Sequence, residues 1–195
     1  MDRKSYMKFI DIIQSYIPKD NKEEKDLELM KQFINNHDDI YSRNNLIGHV
    51  TSSVIILDED KKHILLGYHN IYKSWGWFGG HNDGDDDCLN VALKEAKEET
   101  GLKKFKVIEE APLGIDVVYV QNHIKHGSYV PDHLHLNVTY GLLADSKKDL
   151  KFNENEHSGI KWFKLDEYLN SVEEDRMIPI YIKLVKRMRG LGKNV

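Results

Sequence analysis

With 195 residues, 40% of them hydrophobic and 10% aromatic, the chain has the length and apolar content for one packed domain carrying an extension. Its formal net charge of −4 supplies no general attraction to nucleic acid or to an acidic membrane surface. The single cysteine, Cys88, excludes an internal disulfide and a four-cysteine zinc site, and no apolar run approaches the roughly 18 residues of a membrane span.

The N-terminus, MDRKSYMKFIDIIQ, has charges inside every apolar run, which predicts a soluble cytoplasmic protein without a signal peptide. Tyr6, Phe9, Ile10, Ile13 and Ile17 recur at helical spacing over residues 5–17, and Pro18 follows as a stop. Leu27, Met30, Phe33 and Ile34 predict a second amphipathic helix from Lys22 to about Asn36, followed by a polar loop to Asn45. Two β-rich runs, 48–57 and 62–67, flank Glu59-Asp60-Lys61 and read as a hairpin. A short strand from Trp75 to Phe78 is predicted to run into Gly79-Gly80. Cys88 to Thr100 has helical periodicity, and Gly101 sits where a glycine C-cap belongs. Strands follow near 104–110, 113–121, 133–143 and 159–163, then a short helix at 165–170 and a longer one from Arg176 to Arg189. The order predicts an α/β fold, a mixed sheet with helices on its faces. An N-terminal helical extension over residues 1–44 precedes a main domain over 45–195.

The unusual stretch is FGGHNDGDDDCLNVALKEAKEETGL, Phe78 to Leu102, where like charges crowd within single helical turns. At about 100° per residue, Glu98 falls about −60° and Glu99 about +40° from Glu95, so the three share one helical face. Leu89, Ala92, Leu93 and Ala96 form the neighbouring stripe that packs on the sheet. Lys94 precedes Glu98 by four residues and is placed to pair with it, leaving Glu95 and Glu99 less compensated. Hard oxygen ligands gathered in this way suit Mg²⁺ or Mn²⁺. The hexapeptide KEAKEE by itself describes a solvated face equally well; Gly79, Gly80 and Gly84, which permit a tight turn into the helix, favour a site. Asp85 to Asp87 suit an acidic helix cap. An EF-hand is excluded, since counting from Asp83 puts Cys88 at position six and Lys94 at position twelve.

The span from Gly80 to Leu102 resembles a Nudix box, with Gly80, Glu95, Ala96, Glu98, Glu99, Gly101 and Leu102 in register. Asp86 stands where the pattern has glutamate, Lys94 where it has arginine, and Phe78 where a proline often precedes the glycines. GHVTSSVIIL, WFGGHNDGDDD and HLHLNVTY are similar to a Nudix group with a GGHxDGD loop, which extends the likeness over roughly residues 40–170. The resemblance implies a Nudix α/β/α sandwich that hydrolyses a diphosphate linked to a nucleoside or another group, with Mg²⁺ or Mn²⁺ as cofactor. It implies Glu95, Glu98 and Glu99 as metal-binding carboxylates, with Gly80 beside them and Lys94 in place of the bracing arginine. Glu98, or Glu156 in the loop NENEHSGIKWF, would take the proton from the attacking water. Dimers are common in the resembled family, so a homodimer is a further expectation.

Ten histidines are many for this length. His133 and His135 alternate on a strand and project to one face; with His81 they can line a cleft, meet phosphate or ligate a transition metal. His81 and His135, within shared motifs, are assigned to the substrate side. Trp77, in an aromatic run, can stack on a base or serve as core, and Arg43 is a candidate phosphate contact. A catalytically inactive Nudix-fold protein that binds a ligand is the alternative, motivated by Asp86, Lys94 and Phe78. An isomerase of the same fold would need a suitably placed cysteine, which Cys88, inside the box helix, does not supply.

Overall fold

The computed structural model describes residues 6–125, 127–154 and 156–191; the first residue of the predicted N-terminal helix lies outside them. That helix, α1, spans Phe9–Ser15 and buries Phe9, Ile12 and Ile13. It is shorter than predicted: Tyr6 and Ile17 are exposed, and Tyr16 is already extended. A residue before proline is pushed from the helical region, so Pro18 ends the helix early. Helix α2, Asn21–Asn36, starts at Asp20, whose carboxylate accepts the Glu23 amide at 2.9 Å.

The strands are β1 (Gly48–Asp58), β2 (His63–His69), β3 (Ser74–Gly76), β4 (Phe78–His81), β5 (Lys106–Val107), β6 (Gly114–Val120), β7 (His123–Lys125), β8 (Ser128–Val130), β9 (His133–Ala144) and β10 (His157–Lys164). The main path runs β10-β2-β1-β9-β5, with β3 on β2, β4 on β1 and β6 on β9; β7 and β8 form a separate hairpin. Only β1 and β9 pair in parallel, from Gly48 opposite Leu134 to Asp58 opposite Ala144. β1 is buried along its whole length and alternates between two cores. Val50, Val54 and Ile56 pack with α1, α2 and helix α3 (Cys88–Thr100), whereas Ile55 and Leu57 pack with the C-terminal helix α4 (Ile178–Gly190). The result is a mixed sheet between helical layers.

Three predicted elements differ. The strand over 75–78 is two strands, because Trp77 leaves the ladder and donates its amide to Tyr181 Oη at 3.0 Å. The strand over 104–110 shrinks to β5, since β6 occupies the same edge of β9 from His133 to Thr139 and leaves only Leu142 and Leu143 to pair. The segment 165–170 is a 3₁₀ turn at Tyr168–Ser171, and α4 begins after another at Asp175–Met177.

A buried ionic seam joins the two ends of the chain. Glu23 of α2 is fully buried and pairs with Arg187 and, at 3.2 Å, with Lys183 of α4. Asp116 of β6, also fully buried, accepts from Lys183 at 2.7 Å and from Lys22 at 3.1 Å.

Candidate active site and an adjacent histidine cluster

The acidic stretch divides at the start of α3. Asp87 is the N-cap and accepts the Asn90 amide at 3.0 Å, while Asp85 accepts the Asp87 amide at 2.9 Å. Asp86 turns toward the N-terminal segment, accepting from the Tyr6 hydroxyl at 2.9 Å and pairing with Lys8 at 2.9 Å. Asp83 takes the Arg43 guanidinium in a two-pronged contact, with Nε at 2.6 Å from Oδ1. Its φ of 47° and the 93° of Gly84 reverse the loop, and Ser52 pins it to β1 by donating to buried Asn82 at 2.8 Å. Every aspartate of the stretch is therefore engaged by the fold.

The glutamates are held differently. Cys88, Val91, Ala92 and Ala96 of α3 are buried, with Leu89 and Leu93 packed against the same core, and Gly101 closes the helix at φ 69°. That packing turns Glu95, Glu98 and Glu99 to a cleft also lined by Trp77, Lys94 and Arg43. A Cβ on Gly80 would lie 2.7 Å from Glu95 Cδ, so only glycine lets this carboxylate rest against β4. Glu99 is 5% exposed; its Oε2 accepts the Gly79 amide at 2.8 Å and its Oε1 lies 3.8 Å from His157 Nδ1. Burial pushes the Glu99 carboxyl well above the usual carboxylate range, against the pull of the Gly79 amide. Burial, then the charge of Glu98, raises Glu95 as well. Burial holds His157 down to about 4, so its ring is neutral at pH 7.

Glu156 joins this group. The amides of Glu156 and His157 both donate to the Asn153 carbonyl, at 3.1 and 2.9 Å, and the Asn70 amide donates to the Glu156 carbonyl at 2.8 Å. The loop so fixed brings ligand atoms of Glu99, Glu156 and His157 within 4.8 Å of one another. The donor set fits a divalent cation: carboxylate oxygens, those of Glu99 with raised proton affinity, and a buried His157 Nδ1 without a hydrogen-bond partner among the described residues.

Lys94 departs from its predicted contact. Among the described residues no ion pair joins it to Glu98; Glu99 is held by the Gly79 amide instead. A lysine lacks the planar fork that would grip two carboxylates. Cys88 is fully buried and its thiol is pushed up to about 11, so thiolate chemistry has no footing. Trp77 is half-buried, its ring edge-on to Tyr181 at 5.6 Å.

The same cleft is lined by four histidines. The β1 register places His49 opposite His135, and Thr51 opposite His81 of β4; His133 joins them from β9. One ring nitrogen from each of His49, His81, His133 and His135 lies within 4.8 Å of the others. Burial lowers His49 to about 4 and His81 to about 3, and takes His135 well below the ordinary value. His49 escaped sequence reasoning. The available signal was His49-Thr51-Ser53, polar side chains at alternate positions of an otherwise apolar strand.

The site is thus a glycine-entered helix on a mixed sheet between helical layers, turning carboxylates to one cleft. A family model described as NUDIX domain matches residues 48–187, and the chain belongs to that family. Among solved structures, it is similar to a C. elegans Ap4A hydrolase binary complex, with 17% identity, TM-score 0.52, and coverage of 72% of this chain and 95% of that one. It is also similar to the NUDIX domain of Shewanella oneidensis NrtR complexed with ADP ribose, at 16% identity, TM-score 0.51, and coverage of 81% and 97%. These likenesses are of fold. No curated protein gives a significant match.

Proposed function

We propose that the chain hydrolyses a diphosphate linkage in a nucleoside diphosphate derivative or a related organic pyrophosphate, by attack of water at phosphorus. In this reading Glu95, Glu98 and Glu99, beside Gly80, hold Mg²⁺ or Mn²⁺. Bound there, such a cation offsets the charge of the diphosphate and lowers the pKa of water that it polarises. Glu99 is oriented by the Gly79 amide. Glu156, on a loop tied to the end of β2, takes the proton of the attacking water, a step that Glu98 can also serve. Lys94 contributes positive charge at the cleft wall. Arg43 exchanges Asp83 for a substrate phosphate, Trp77 offers a ring face to a base, and His81 and His135 meet the substrate from the far wall.

The observation that carries this reading is Glu99: a nearly buried carboxylate with one backbone amide, an orphaned imidazole nitrogen and three further carboxylates, Glu95, Glu98 and Glu156, acting on it. The two fold relatives, described with Ap4A and with ADP ribose, favour nucleotide-derived substrates. Phosphate or nucleotide release over a panel of such compounds, with Mg²⁺ or Mn²⁺, tests the proposal. Inertness across the panel at high enzyme concentration overturns it. The unbraced Lys94 favours one second reading, a ligand-binding protein of the same fold. Calorimetric binding without turnover is its signature.

A further inference from the structure

We infer that His49, His81, His133 and His135 form a second cation site, one for a divalent transition metal such as Zn²⁺, separate from the glutamate face. The inference does not depend on the hydrolase reading, because it concerns a different donor set in the same cleft.

Convergence is the first ground. Three strands deliver four imidazoles to one point, through the pairing of His49 with His135 and of Thr51 with His81. His133 Nε2 and His135 Nε2 are 3.1 Å apart. Metal–nitrogen bonds of about 2.0–2.1 Å in a tetrahedron require neighbouring nitrogens about 3.3 Å apart. That pair already stands near this spacing, and the remaining nitrogens lie within 4.8 Å.

The second ground is where the outer nitrogens point. His49 Nδ1 lies 3.3 Å from the Asn45 carbonyl, and His133 Nδ1 lies 2.9 Å from the Pro131 carbonyl. A carbonyl only accepts, so in each ring Nδ1 carries the hydrogen and Nε2 presents its lone pair inward. Backbone carbonyls orient metal-binding histidines in this way. His133 Nε2 can satisfy itself by accepting from His135. His49 Nε2 cannot: it is buried in a residue only 4% exposed and has no hydrogen-bond partner. An orphaned acceptor in such a place costs stability that a ligand would return.

Donor chemistry then selects the ion. The four ligands are all imidazole, and the flanking carboxylates are engaged elsewhere, Asp83 by Arg43 and Asp132 by Tyr119 and Asn122. Mg²⁺ and Ca²⁺ prefer oxygen ligands, whereas Zn²⁺, Co²⁺ and Ni²⁺ accept neutral nitrogen ligands. His81 and His135 are half-buried and border the cleft, so an ion on them would face the substrate chamber with its charge uncancelled by ligands. Such a centre would attract an anionic group on the substrate and make the histidine wall an anion-binding wall.

The full chain, stripped with a chelator and desalted, is titrated with Zn²⁺ by calorimetry, and retained metal is measured by elemental analysis. One equivalent of Zn²⁺ is expected to stay with the wild type and with Glu99→Gln, and to raise the unfolding temperature. Binding about 100-fold weaker is expected in His135→Gln and in the milder, cleft-facing His81→Gln. Co²⁺ added in place of Zn²⁺ is expected to give the strong visible absorption of a tetrahedral centre in the wild type and none in those variants, with circular dichroism confirming that they are folded. Absence of retained Zn²⁺ in folded wild type overturns the inference. So does undiminished binding in folded His81→Gln and His135→Gln, or loss of binding in Glu99→Gln alone.

Discussion

The two halves of the acidic stretch carry the same charge and meet opposite fates. Asp83, Asp85, Asp86 and Asp87 are each answered by something close at hand: Arg43, the Asp87 amide, Tyr6 with Lys8, and the Asn90 amide. Glu95 and Glu99, a few residues on, are packed into a cleft where burial raises their proton affinity and no side-chain cation closes on them. The loop aspartates are held by contacts that shape the loop, whereas Glu95 and Glu99 are buried with raised proton affinity, a setting in which a cation would be favoured. Composition alone cannot separate the two groups. Their partners can.

The contrast is open to direct attack. The largest effect is expected from Glu99→Gln: turnover falls about a thousandfold, the scale of a preorganised electrostatic group, while the unfolding temperature of chelator-treated protein rises. A loss of activity with unchanged or lowered stability would remove Glu99 from the uncompensated group. Glu156→Gln should reduce kcat by about 100-fold or more with little change in KM. Full turnover would assign the proton to Glu98. Gly80→Ala places a Cβ 2.7 Å from Glu95 Cδ; a flexible carboxylate can swing away, so Mn²⁺ affinity should drop about tenfold while the fold survives. Binding of Mn²⁺ by calorimetry at wild-type strength would show that Glu95 is not a ligand. On the aspartate side the effects shrink. Asp87→Ala should cost about 1 kcal/mol in denaturant unfolding and leave kcat intact, and Asp86→Asn should move neither.

Acid sharpens the same contrast through the histidines. His49, His69 and His157 are held near 4 and His81 near 3 by burial, against an unfolded value of about 6.5. The unfolded chain binds more protons across that window, so stability is full above about pH 6.5 and is lost as pH falls toward 4. Glu99, Glu95 and Asp116, with raised values, act in the opposite sense but are outnumbered by the buried histidines. Melting of chelator-treated protein from pH 7 to 5 should show a steady decline. A flat profile would mean that these rings are solvated and not buried.

Much of this was legible in the sequence, and the illegible part has a common cause. The shared face of Glu95, Glu98 and Glu99 follows from helical geometry, and the glycine approach was readable from Gly79-Gly80. What could not be read were contacts made across the fold: Gly79 rather than Lys94 holding Glu99, and Lys8 and Tyr6 drawing Asp86 away. Trp77 broke a predicted strand because Tyr181, from the C-terminal helix, offered its amide a better partner. The hairpin of β7 and β8 was hidden by its brevity. His49 was overlooked because a single histidine in a β-rich run acquires meaning only when β4 and β9 pair beside it.

The ionic seam between α2 and α4 has a practical consequence. Family likeness begins at residue 48, yet Arg187 and Lys183 find Glu23 well before that point, and Phe9, Ile12 and Met30 fill the same core as β1. Trimming the gene to the recognisable segment would leave Arg187 without Glu23 and Asp20, and Lys183 with Asp116 but without Glu23, at about 3–5 kcal/mol for a broken buried pair. The segment from Phe9 to Phe33 is then a keystone of the core, and expression plasmids that omit it should yield inclusion bodies.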